Sequence, residues 1–134
     1  MNLKIGFIGV GNMATAIVES LVKSEQQLPQ SIYLYDIALE KTSKLKEKYT
    51  VSIASSIRDI ALSWDVIVLA VRPKDLETVF DELSHVLSNQ ILFSVAVGIT
   101  LDKLNSLAQK DVTIIRTMPN IGAMIGRNIT SYCV

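Results

Sequence analysis

Short apolar runs recur along this chain with stretches of helical periodicity between them, and that alternation is what most restricts its fold. Residues 4–8, 32–35, 51–54, 66–71, 90–97 and 112–116 read as six strands. After the first run, Ala14, Ile17, Val18, Leu21 and Val22 fall on one helical face. A charged segment, residues 40–49, follows the second run, and Ser56 with Asp59 has the spacing of a helix cap ahead of residues up to Leu62. The fourth run has no polar alternation, as in a strand buried on both faces. Pro73 suits a first helical turn, and Leu76, Val79, Phe80, Leu83 and Leu87 make the stripe behind it. Thr100 is placed to cap a helix carrying Leu101, Leu104, Leu107 and Ala108. Strands joined by helical crossovers lie parallel in one sheet, so the expected fold is α/β, a doubly wound, mostly parallel sheet with helices on both faces. A last short strand is expected at residues 129–134, with its direction open. It follows a loop containing Pro and Gly at residues 118–126, and the chain looks cut short after "SYCV".

The first turn carries a second signal. Gly9, Gly11 and Ala14 have the G-x-G-x-x-G/A spacing of a dinucleotide site, placed between the first strand and the first helix. One glycine allows the sharp turn and the next lets backbone approach a pyrophosphate. The helix start then supplies free N–H groups and partial positive charge. Glycines in such a turn can also serve geometry alone, so context decides. Asp36 closes the second strand 22 residues beyond Ala14, near the roughly 20 expected for an acid that binds ribose. Taken alone, Asp36 favours NAD, because a carboxylate repels a 2′-phosphate. Lys41 and Lys44 lie close enough in sequence to argue weakly for NADP, but a solvated basic helix face is the better account of them.

Composition excludes several other classes. Thirteen Lys and Arg balance thirteen Asp and Glu, so no global field recruits nucleic acid or an anionic membrane. The 134 residues, 49% of them apolar, suffice for one core. The longest aliphatic run, residues 66–71, is far short of the roughly 20 residues that span a bilayer. No signal-peptide cleavage pattern is present, and Cys133 is the only cysteine, so a cytoplasmic location is expected. The single histidine, His85, falls on the charged side of a helix, which argues against a Ser/His/Asp hydrolase, and no metal-ligand set is recognisable. No residue is assigned a catalytic role.

Three further segments are expected at carboxyl ends of strands, where open α/β sheets bind ligands: "AVRPKDL" at 70–76, "SVAVGIT" at 94–100 and "RTMPNIGAMIG" at 116–126. With "GFIGVGNMATAI" at 6–17 they resemble the amino-terminal domain of pyrroline-5-carboxylate reductases over essentially the whole chain. The resemblance implies a Rossmann domain over residues 1–134, with a carboxy-terminal helical domain, absent from this chain, that makes homo-oligomers and holds the substrate. It implies reduction of the small molecule 1-pyrroline-5-carboxylate to proline with NADPH or NADH. By position, Gly9, Val10, Gly11, Asn12 and Met13 would line the pyrophosphate turn, and Asp36 and Ser56 the adenosine end. Ala70, Val71, Arg72 and Pro73 would face the middle of the cofactor. Ala96, Val97 and Gly98 would approach the nicotinamide, with Pro119 and Asn120 nearby. Val97 stands where the family usually has alanine, and Gly122 where it commonly has proline. These departures leave room for a reductase of another imine or β-hydroxyacid, or for a non-catalytic nucleotide-sensing or interaction module of the late-competence type.

Overall fold

A computed structural model describes residues 3–109, 112–118 and 131–133. Its strands are β1 (Ile5–Ile8), β2 (Ile32–Tyr35), β3 (Ser52–Ile53), β4 (Val66–Leu69), β5 (Ile91–Ser94), β6 (Thr113–Met118) and β7 (Ser131–Cys133). The helices are α1 (Asn12–Lys23), α2 (Leu39–Tyr49), α3 (Ile57–Ser63), α4 (Leu76–Leu83) and α5 (Leu101–Ala108). All strands form one sheet in the order β3-β2-β1-β4-β5-β6-β7. The pairs from β3 to β6 are parallel, as helical crossovers require. β7, whose direction the sequence leaves open, runs antiparallel to β6, with Arg116 opposite Cys133.

Two apolar layers hold the sheet. On one face Phe7, Leu34 and Val68 pack with Ala14 and Val18 of α1 and Leu45 of α2. On the other, Ile8, Ile67 and Leu92 pack with Ile60 of α3, Phe80 of α4 and Leu104 of α5. Alternate residues of a strand point to opposite faces, so an all-apolar run such as β4 can serve both layers. Two helices, α3 and α5, start where their caps predict. The Ser56 hydroxyl accepts the Asp59 amide at 3.1 Å, and the Thr100 hydroxyl accepts the Lys103 amide at 3.2 Å.

At the ligand edge of the sheet the carboxyl ends of β4, β5 and β6 differ from the sequence expectation. β4 stops at Leu69 rather than residue 71, and Pro73 opens a 3₁₀ turn (Pro73–Asp75) before α4 begins. β5 stops at Ser94 rather than residue 97. There the Val95 amide turns to the Leu69 carbonyl at 3.1 Å, and the Ser94 hydroxyl accepts the Ala96 amide at 3.3 Å. β6 runs two residues further than expected, to Met118.

Candidate dinucleotide site

The order of strands reverses at β1, which lies between β2 and β4, and such switch points open a crevice at the carboxyl ends of the strands. The glycine turn occupies it. Gly9 has φ +93°, and a Cβ there would sit 2.7 Å from the Ala70 carbonyl oxygen, so this position needs glycine for the protein's own packing. Its amide donates to the Tyr35 carbonyl at 2.8 Å, which ties the turn to β2. Gly11 differs. It has ordinary extended backbone, φ −87°, and a Cβ added there would meet nothing within 4 Å. Folding does not require glycine at that position, and the space it leaves opens onto the start of α1.

That helix start is suited to an anion. Gly11 is its N-cap and offers no side-chain acceptor, and the first turn contains no acid. The leading amides of α1 have no carbonyl one turn earlier to bond, and they carry the positive end of the helix dipole. Asn12 is exposed there, Met13 packs against the core beneath, and Ala14 is buried at the contact with the sheet. Val10 is buried as well, so it contributes to the turn through its backbone.

Asp36 is anchored at both oxygens. Oδ2 accepts the Val10 amide at 2.7 Å, and Oδ1 accepts the Ala38 amide at 2.8 Å. The acid expected at the ribose therefore also braces the glycine turn from the neighbouring strand. Ionised carboxylates have about four acceptor positions, so the two bonds leave capacity for a ligand hydroxyl.

The β4 and β5 loops flank the turn on its other side. Ala70 and Val71 are half-buried, and the Ala70 amide donates to the Ile8 carbonyl at 2.9 Å, holding the loop against the glycine turn. Arg72 is exposed, and its Nε pairs with Asp75 Oδ2 at 3.1 Å, an exposed ion pair worth little for stability. Pro73 is exposed at the start of the 3₁₀ turn. Ala96 is buried, whereas Val97 is 68% exposed and Gly98, φ +78°, is open to solvent. Val97 is thus presented rather than packed. Ser94 and Thr117, which sequence reading assigned no role, shape this corner: both are buried, and the Thr117 hydroxyl donates to the Ser94 carbonyl at 3.2 Å. Their signal was weak, because each is one small polar residue at the end of an apolar run.

Ser56 lies half-buried beyond β3, with its hydroxyl engaged as the α3 cap. Pro119, Asn120 and Gly122 fall outside the described residues. His85 is exposed, past the end of α4 rather than on a helix face. Among the described residues no group of three or more His, Cys, Asp or Glu is placed to hold a metal ion, and no helix is long and apolar enough to cross a membrane. A groove of ≈ 760 Å³ between α2 and β3 is lined by Tyr33, Ser43, Lys46 and Glu47 among others. It lies away from the glycine turn and is wide open to solvent, so the convergent backbone donors at α1 carry the functional reading.

Comparison with known proteins agrees with this geometry. Residues 4–98 match the model of the family described as NADP oxidoreductase, coenzyme F420-dependent. Pyrroline-5-carboxylate reductase of Escherichia coli (strain K12) is 37% identical over 132 residues, which are 98% of this chain and 49% of that protein. A solved pyrroline-5-carboxylate reductase from Coxiella burnetii superposes with a TM-score of 0.92 at 34% identity, over 98% of this chain and 49% of that one. The pyrroline carboxylate reductase of Plasmodium falciparum, solved with NADP bound, gives 0.87 at 26% identity over 98% and 48%. The chain spans about half the length of the curated relatives it matches.

Proposed function

The chain belongs to the family described as NADP oxidoreductase, coenzyme F420-dependent, and we propose that it is the dinucleotide-binding half of a pyrroline-5-carboxylate reductase. The observation that carries the binding site is Gly11: glycine where folding does not need it, beside an uncapped helix start and an anchored acid. In this reading the pyrophosphate lies on the leading amides of α1, with Gly9, Val10, Asn12 and Met13 forming the turn around it. Asp36 holds the adenosine ribose, and Ser56 borders the same end. The loop Ala70, Val71, Arg72 and Pro73 follows the middle of the cofactor, and Ala96, Val97 and Gly98, with Pro119 and Asn120, border the nicotinamide.

Bound there, a nicotinamide dinucleotide supplies hydride for reduction of a C=N bond. The imine carbon would accept that hydride, and the ring nitrogen would carry the proton that completes the amine. What this chain's residues contribute is position: backbone amides fix the phosphates, and buried Ala96 keeps the β5 loop close while Gly98 leaves room beside it. Groups that hold the substrate carboxylate and ring nitrogen then belong to the part of the relatives that this chain does not span, a helical domain that also makes the homo-oligomer. A balanced net charge and the family's small-molecule chemistry support a cytoplasmic enzyme without nucleic-acid or membrane partners.

Calorimetric titration of the chain with NADH and NADPH tests the binding site. Saturable binding below millimolar concentration is expected for at least one of them, and failure of both to bind would overturn the proposal. Assay of the same 134 residues with pyrroline-5-carboxylate should give turnover near background. Robust turnover would place the substrate groups within this chain instead.

A further inference from the structure

We infer that Ser94 and Arg116 form a carboxylate-binding site at the corner of β5 and β6, a site to which the dinucleotide reading above assigns no part. The two residues are partners in the parallel ladder, in the row that also holds Ile8 and Leu69. Residues level with one another on neighbouring strands project to the same face of a sheet, with the strands about 4.8 Å apart. That face is the one covered by α3, α4 and α5, since Ile8 and Leu69 pack in that layer. The row is aliphatic at β1 and β4 and turns polar at β5 and β6.

The corner offers donors without acceptors. Arg116 is half-buried, its Nε is fully buried with no hydrogen-bond partner, and no ion pair reaches its guanidinium among the described residues. Ser94 is fully buried, and its hydroxyl oxygen accepts the Ala96 amide while its own proton meets no acceptor among the described residues. A guanidinium carries only donors and keeps its charge at every pH the fold survives. Buried polar groups in folded proteins are paired, and a partly buried charge without a counter-group is costly, so two adjacent unanswered donors call for an anion.

The chain has no acid of its own for this corner. From Val112 to Val134 it contains two arginines and neither Asp nor Glu. At the same edge of the sheet Asp36 is held by the Val10 and Ala38 amides, and Asp75 is paired with Arg72. The anion therefore comes from outside. A planar carboxylate matches two donors on one face, one oxygen for each, whereas a phosphate would bring further oxygens with no donor to meet them. Two sources supply that chemistry. One is an Asp or Glu side chain from the portion of the longer relatives that this chain does not span, which leaves the substrate carboxylate where the proposed function puts it. The other is a small-molecule carboxylate beside the loop whose Ala96 amide Ser94 holds.

Nuclear magnetic resonance of the isotope-labelled chain reads the site through the Arg116 Nε–H resonance, assigned from its own backbone. Sodium propionate, a mimic of an acidic side chain, should shift that resonance saturably in the millimolar range, whereas sodium chloride at matched ionic strength should not. Ser94→Ala removes one donor and should weaken propionate about fivefold, the scale of a single hydrogen bond. L-Proline separates the sources. Affinity no greater than that of propionate, with or without NADH, identifies a side-chain carboxylate as the natural occupant, and a gain of at least about tenfold once NADH is bound identifies a small-molecule one. Either result supports a carboxylate site. The inference is overturned if propionate moves the Arg116 resonance no more than chloride does, or if Ser94→Ala, folded by circular dichroism, keeps the parental affinity. The comparison of propionate with chloride needs neither a variant nor NADH, so its failure leaves the dinucleotide reading standing, and failure of NADH to bind leaves this inference standing.

Discussion

Gly9 and Gly11 stand two positions apart in one motif and do different work. The first, at φ +93° with Ala70 backbone 2.7 Å from any added Cβ, is required by the fold. Gly9→Ala should destabilise the chain by at least about 2 kcal/mol, measured by urea denaturation, because positive-φ strain and a backbone clash add. Gly11 meets nothing. Gly11→Ala should change stability by no more than about 1 kcal/mol, the scale of an N-cap exchange, yet weaken dinucleotide binding at least about tenfold by occupying the space over α1. The motif's spacing and its division of roles were legible from sequence, but the Ala70 backbone contact that enforces Gly9 was not, because it depends on where the β4 loop comes to rest. Asp36 is similar. Its position at the end of a strand announced a ribose acid, while its bonds to Val10 and Ala38 join residues 26 and 2 positions away.

At the scale of elements, local chemistry set the helix starts. The Ser56 and Thr100 caps were readable because a cap involves residues three apart, and both bonds form. Ser56→Ala should cost about 1 kcal/mol by thermal or urea denaturation; a loss of NADH affinity beyond that would place its hydroxyl at the adenosine end as well. Helix-to-helix ties were not readable. Lys48 of α2 meets Glu19 of α1 at 3.2 Å across 29 residues of sequence. Desolvation by partial burial works against the Glu19 carboxylate, but Lys48, Tyr49 and Lys23 together outweigh it and hold its pKa below the ordinary value of 4.5. A lowered folded-state pKa contributes stability that is present above the unfolded value and lost as pH falls through the folded one. Glu19→Gln should therefore lower the melting temperature slightly near pH 7 and converge with the parent in acid below that pKa. The strand ends were least legible, since Ser94, the last paired residue of β5, also accepts the Ala96 amide through its hydroxyl and the Thr117 hydroxyl of β6 through its carbonyl.

Across the whole molecule, the reversal of strand order at β1 is what gathers the glycine turn, Asp36 and the β4 and β5 loops at one crevice. A ligand bound only by that assembled crevice must stabilise the fold. NADH at a hundred times its dissociation constant should add about 2.7 kcal/mol to unfolding stability, read as a rise in melting temperature that Gly11→Val abolishes. No such rise is expected from nicotinamide alone, which has no phosphates to meet the α1 amides.

The sequence by itself determined the class of fold, because apolar runs joined by helical stretches permit only a parallel sheet covered on both faces, and it marked the turn through local spacing. Tertiary structure decided what spacing cannot express. It set the antiparallel course of β7, the close approach of Ile60 to Gly6, where a Cβ would lie 2.6 Å from the isoleucine, and the bracing of Asp36 against Val10. Each of these joins residues far apart in the chain, and such contacts exist only once the crossovers have fixed which strands are neighbours.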